Sequence, residues 1–158
     1  MIHATLEDIE RAPWMQYAAQ MYMLGVREKP GKETEPWIEF FNGFSRDITK
    51  AVKATDEVSW CASFVNYCLE MSGCESSHSA RARSYEKWCL PLTEPRYGCV
   101  VVFSDATRGP SAGHVSFFTR PISSTLIECL GGNQGNAVSL AQYPLSRVVA
   151  FRTPNKFP

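Results

Sequence analysis

From Trp14 to Leu24 the chain runs through Trp, Met, Gln, Tyr and Ala without a breaker, and Gly25 follows where a left-handed C-cap belongs. That pattern predicts a first helix whose Met and aromatic residues pack a core. Val26 to Glu35 carries Lys-Pro-Gly and several charges and reads as a loop. Pro36 suits a first helical position and opens a short aromatic helix through Phe44, with Trp37, Phe40 and Phe41 at helical spacing. Trp60 to Met71 repeats its apolar residues with helical period, Ser59 is placed to cap the start, and Gly73 to close the end. A further helix is predicted over Ser79 to Trp88, an Ala- and Arg-rich stretch ended before Pro91.

Beyond Pro95 the apolar period shortens to that of strands: Cys99 to Phe103, His114 to Thr119, Thr125 to Leu130, a short piece near Ala137 to Leu140, and Arg147 to Phe151. Gly, Pro, Ser and Asn clusters between them supply the turns. Helices first and strands second, without alternation, predict an α+β domain in which amino-terminal helices pack on a carboxy-terminal antiparallel sheet. No repeat or linker divides residues 1–158, so they read as a single domain, with a surface tail at Thr153 to Pro158.

Composition agrees with one ordinary globular core, at 158 residues, 44% hydrophobic and 20% charged. Sixteen basic residues balance sixteen acidic ones without long runs, so neither nucleic acid nor an anionic membrane is an expected partner. The opening Met-Ile-His-Ala-Thr-Leu-Glu-Asp lacks the basic start and apolar run of a signal peptide, and no stretch approaches transmembrane length. Synthesis as a soluble cytoplasmic protein is expected. Six cysteines, Cys61, Cys68, Cys74, Cys89, Cys99 and Cys129, are too sparse for a disulfide framework and include no Cys-x-x-Cys pair. His3, His78 and His114 lie far apart, with no helical or finger-like metal spacing. The chemistry expected is therefore that of bare side chains, with no metal and no cofactor.

Cys61 sits two residues after the capping Ser59, in the first turn of its helix. Unpaired N–H groups and the positive end of the macrodipole favour a thiolate there and offer part of an oxyanion hole. The competing reading is a small buried hydrophobe, which the other five cysteines keep. His114 follows Gly113 at the head of a strand, beside the Gly-Pro-Ser-Ala-Gly loop, where a base can meet a substrate. The Gly131-Gly132-Asn133-Gln134-Gly135 turn ends the next strand, so a hairpin brings Asn133 near His114. Asn133 is read either as the residue that orients the imidazole or as a turn residue at positive φ, with Glu128 and Gln134 as weaker candidates for the orienting role.

The run Val58-Ser-Trp-Cys-Ala-Ser-Phe-Val-Asn66, with Ser79-Ala-Arg-Ala-Arg-Ser84, Gly113-His-Val115 and Leu130-Gly-Gly-Asn-Gln134, resembles the CHAP and NlpC-type superfamily of cysteine peptidases and amidases. Pro13-Trp14-Met15 and Arg152-Thr-Pro154 resemble the opening and close of a phage- and bacteria-associated branch. One position departs: Gly98-Cys99 stands where the family has Gly-Asp. The resemblance implies a papain-like fold and a peptidoglycan peptide as substrate. Cys61 would be nucleophile, His114 base and Asn133 the orienting residue. Trp60 and Arg83 are candidate substrate contacts, because a guanidinium fork at Arg83 or Arg81 matches a peptide carboxylate, with solvated helix arginines the plainer alternative.

On this resemblance the chain is expected to be a monomeric peptidoglycan amidase or endopeptidase that hydrolyses a cell-wall amide by thiolate attack. Without a leader it would be delivered to the periplasm of a target or host bacterium as an injected type VI secretion effector, countered by a cognate immunity protein, or released as a phage endolysin. The lack of a separate wall-binding domain favours the effector. A non-catalytic wall-binding or protein-interaction module on the same scaffold is the reading from another class.

Overall fold

The computed structural model of the chain describes residues 4–31, 35–48 and 59–154. His3, Val58 and the tail from Asn155 lie outside the described residues. Helix α2, Trp14–Met23, turns Trp14, Met15, Ala18 and Met21 into the core, the spacing expected of one buried stripe. Helix α3, Pro36–Asn42, begins at the expected proline and ends two residues before Phe44, with Gly43 as its C-cap. Helix α4, Cys61–Met71, buries every residue from Cys61 to Leu69. A helix covered all round lies at the centre of its domain.

Six antiparallel strands form one sheet in the order β1-β6-β2-β3-β4-β5. They are β1 Leu90–Leu92, β2 Val100–Ser104, β3 Gly113–Pro121, β4 Leu126–Gly131, β5 Ser139–Pro144 and β6 Val148–Thr153. Val100, Val102, Val115, Phe117 and Leu130 face the helices. Val101, Phe103, Phe118, Ile127 and Cys129 form a second core on the opposite face, covered by Leu92, Tyr143, Leu145, Val148 and Phe151. The central strands are thus buried on both faces, which is why Val-Val-Val-Phe reads as a continuous apolar run. Helices on one side of an antiparallel sheet give the α+β, papain-like architecture expected from the sequence.

Three elements differ from the expectation. The helix predicted over Ser79 to Trp88 is only a short 3-10 turn, Ala82–Tyr85. Serine side chains there take the backbone's place as partners: Ser79 Oγ accepts from Arg81 N at 3.1 Å, and the Ser77 and Ser84 hydroxyls pair at 2.7 Å. Tyr85 donates to Asn66 of α4, so the segment is held by tertiary bonds. Helix α1, Leu6–Arg11, was not foreseen because it buries none of its residues; it rests on the Thr5–Asp8 capping box. Strand β1 was missed because Pro91 lies in its middle. At the sheet edge, beside β6, a residue without an N–H is tolerated.

The Trp14 indole N–H clasps the amino-terminal helix to the sheet by donating to the Gly98 carbonyl at 2.7 Å. Gly98 has φ +80°, and a Cβ there would lie 2.5 Å from the Ala12 Cβ. Gly98→Ala therefore combines backbone strain with overpacking, and we expect a loss of about 1–3 kcal/mol, read from chemical denaturation of the purified variant.

Candidate active site

Cys61 is the first residue of α4, 2% exposed, and it meets β3 at its opening residues. The thiol is hydrogen-bonded to the His114 side chain and approached by the Val115 backbone N–H. The predicted cap differs in detail. Trp60 occupies the N-cap position without a side-chain bond, and the Ser59 hydroxyl lies 3.8 Å from the Cys61 sulfur. The first N–H groups of α4 have no acceptor within the helix, and Cys61 sits in that first turn.

His114 is oriented by Gln134. Its Nε2 lies 3.0 Å from Gln134 Oε1. The amide is tied down on all sides: Nε2 of Gln134 donates to the Ser139 and Cys129 carbonyls at 2.7 and 3.3 Å, and Oε1 also accepts from Ser116 Oγ at 2.8 Å. Two carbonyls can only accept, so the amide nitrogen must face them and the amide oxygen must face the ring. His114 Nε2 therefore carries the proton in the neutral ring, and Nδ1 is the basic nitrogen left for the thiol.

This corrects the assignment of the orienting role to Asn133. Asn133 takes the turn conformation, φ 56°, and its side chain points to Ser59, donating to Oγ at 3.3 Å. The reversal at Asn133 brings the following residue back beneath the strand ends. Gln134 is accordingly 6% exposed. Glu128 is engaged elsewhere, by Thr119 and Arg120. Gly131 makes room for the arrangement: a Cβ there would run into Ser116 Oγ and lie 2.7 Å from Gln134 Oε1.

The imidazole is also walled by aromatic rings. Phe103 stacks on it at 6.0 Å between centroids and Tyr143 tilts against it at 5.4 Å. Arg147 lies over both rings, 5.9 and 5.7 Å from their centroids. The sequence offered no sign of this stack, since Phe103, Tyr143 and Arg147 come from three different strands or turns.

The two proposed substrate contacts are occupied. Trp60 is wholly buried, stacks on Phe41 and donates to Glu28 at 2.8 Å; it holds the helix start in the core and does not face a cleft. Arg83 pairs with Glu86 at 2.9 Å, donates to the Ala112 carbonyl at 3.4 Å and lays its stem against Gly113. It braces the loop that leads into His114. Arg81 is exposed. His78 lies away from the site, beside Glu70 and Glu75.

Burial pushes the Cys61 thiol up, but the His114 hydrogen bond and charge, the Val115 N–H and the Ser59 hydroxyl outweigh it and bring the thiol down to about 7. Burial pulls His114 down, and the hydrogen bond and charge of Cys61 together with Gln134 more than restore it, leaving it raised. The pair thus favours thiolate and imidazolium. Cys68, Cys99 and Cys129 move the opposite way, because burial dominates. Cys99, at the departure from Gly-Asp, fills the second apolar core. Among the described residues no group of His, Cys, Asp or Glu is placed to hold a metal ion, and no helix is long and apolar enough to cross a membrane.

With this geometry in place, comparison with known proteins is decisive on family. The model of the CHAP domain matches residues 53–133, just over half of the chain and the span from before α4 to the turn after β4. The chain belongs to the CHAP domain family. CHAP domains are cysteine- and histidine-dependent amidases or peptidases, and their membership points to peptidoglycan as the material acted on. No curated protein matches the chain.

Two measurements follow from this geometry. Gln134→Ala frees the imidazole to take the wrong tautomer and should lower turnover on the order of a hundredfold, the scale of a general base's contribution, with Gly131→Ala lowering it in the same direction. Iodoacetamide labelling of Cys61 should rise through a midpoint near 7, because labelling follows the thiolate fraction, which grows as pH climbs through the lowered value. An unperturbed thiol, with a pKa of about 8.5, would rise later. Peptide mass spectrometry across a pH series reads both limbs.

Proposed function

We propose that this CHAP domain hydrolyses an amide of the peptidoglycan stem peptide, with Cys61 as nucleophile and His114 as base. The observation that carries the reading is the row Cys61, His114, Gln134, in which a helix-start thiol brought down to about 7 meets an imidazole whose tautomer is set from behind. His114 Nδ1 takes the thiol proton, and the sulfur attacks the amide carbonyl. First-turn N–H groups of α4, without acceptors inside the helix, would hold the developing oxyanion. The imidazolium then protonates the leaving amine, and a water deprotonated by His114 cleaves the thioester, releasing the acid and the free thiol.

The place of action proposed is the wall of a target or host bacterium. The balanced charge, sixteen basic against sixteen acidic residues, supports recognition of the substrate by shape and hydrogen bonds over bulk electrostatics. Of the two routes to a wall, we favour delivery as an antibacterial type VI effector over release as an endolysin. A producer of such a monomeric effector needs an inhibitor of its own, so a small exported immunity protein encoded beside it is the expected partner.

Purified sacculi test the activity. The native chain should release soluble muropeptides whose masses identify the bond cut, and Cys61→Ala and His114→Ala should release none while melting as the native chain does. Release by Cys61→Ala would overturn the assignment.

A further inference from the structure

Asn133 lost the role of orienting the histidine, yet it is aimed at the active site from the other side. Its side chain reaches back 74 positions along the chain to Ser59, and Nδ2 donates to the Ser59 hydroxyl oxygen at 3.3 Å. That same hydroxyl lies 3.8 Å from the Cys61 sulfur, within the longer reach of a bond to sulfur. A hydroxyl has one proton to give. With one lone pair of Oγ engaged by the Asn133 amide, the Ser59 hydrogen is free to turn to the sulfur. The thiol's own proton goes to His114.

We propose that Ser59 stabilises the Cys61 thiolate by donating its hydroxyl proton to the sulfur, and that Asn133 is a positioning residue that holds Ser59 in that orientation. The inference rests on Cys61 being the nucleophile. It gives a role to Ser59, which stands one position before the Trp60 N-cap of α4 and has its hydroxyl beside the sulfur. It also explains the left-handed backbone of Asn133, φ 56°. The turn sends two successive side chains in opposite directions, Gln134 inward to the histidine and Asn133 outward to the serine that touches the nucleophile. One loop then serves both members of the pair.

The charged, titratable group that acts on the thiol is His114 on β3; the Cys61 charge in turn acts on Tyr143 of β5, and Arg147 acts on His114. Ser59 and Asn133 are uncharged, so their removal changes no net charge at the site. A shift in the thiol's titration would report the lost hydrogen bond directly.

The test is iodoacetamide labelling of the full chain across a pH series, with Cys61 followed by peptide mass spectrometry. Ser59→Ala should move the midpoint upward and slow labelling about three- to tenfold on the acid side, while rates converge in alkali where every thiol is ionised. Ser59→Thr, which keeps the hydroxyl, should restore the native profile. Asn133→Ala should give a smaller shift in the same direction and add nothing in the Ser59→Ala background. A Ser59→Ala profile that superimposes on the native one, in a variant that melts normally, overturns the proposal. So does an Asn133→Ala effect that persists in full without Ser59, because the residue would then act by another path. Sacculus digestion is scored separately: native labelling with a low midpoint but no digestion would sink the proposed substrate and leave this inference standing.

Discussion

The Cys129 and Ser139 carbonyls flank the amide nitrogen of Gln134, and that pairing leaves its oxygen with a single direction to face. Everything chemical in the domain depends on this constraint. Because the oxygen accepts from His114, the ring keeps its proton on Nε2 and presents a basic Nδ1 to Cys61. Because the carbonyls belong to the end of β4 and the start of β5, the constraint exists only once those strands are paired. Folding and tautomer selection are therefore one event.

The other half of the site is held by burial. Helix α4 is surrounded by core, so its first residue cannot drift from the sheet edge. The polar side chains that this burial strands are paired among themselves. Asn66 donates to Ser45 Oγ at 3.1 Å and to the Ser79 carbonyl at 3.0 Å and accepts from Tyr85, while Ser63 pairs with Ser45 at 2.8 Å. This network ties the Ser-Ala-Arg-Ala-Arg-Ser segment to the back of α4. From there Arg83 reaches the loop before His114. A segment whose arginines suggested substrate binding instead connects the two elements that carry Cys61 and His114.

Legibility followed the range of the interaction concerned. The helices over α2, α3 and α4 and five of the strands were readable because apolar periodicity and Gly or Pro boundaries are local signals. Where long-range bonds overruled local preference the reading failed. Ser79 to Trp88 has helical composition, but Ser79 and Tyr85 bond outward, to Asp47 and Asn66. Leu90–Leu92 is a strand only because an edge was vacant beside β6. At the site, Cys61 was legible from its place after Ser59 at a helix start. The Gly-Gly-Asn-Gln-Gly turn was legible as a neighbour of His114, but which of its two amides faced the ring was not.

By itself, then, the order of residues determined the helix that bears Cys61, the strand that bears His114, the α+β layering and the family to which these motifs belong. Each follows from periodicity, capping residues or short motifs, which act over a few positions. Tertiary structure alone decided that Gln134 and not Asn133 orients the imidazole, that Trp60 and Arg83 brace the site from within, and that Phe103, Tyr143 and Arg147 wall the histidine. The direction of a side chain at a turn is set by one backbone angle and by acceptors brought from distant strands. Those acceptors come together only when the sheet has closed around them.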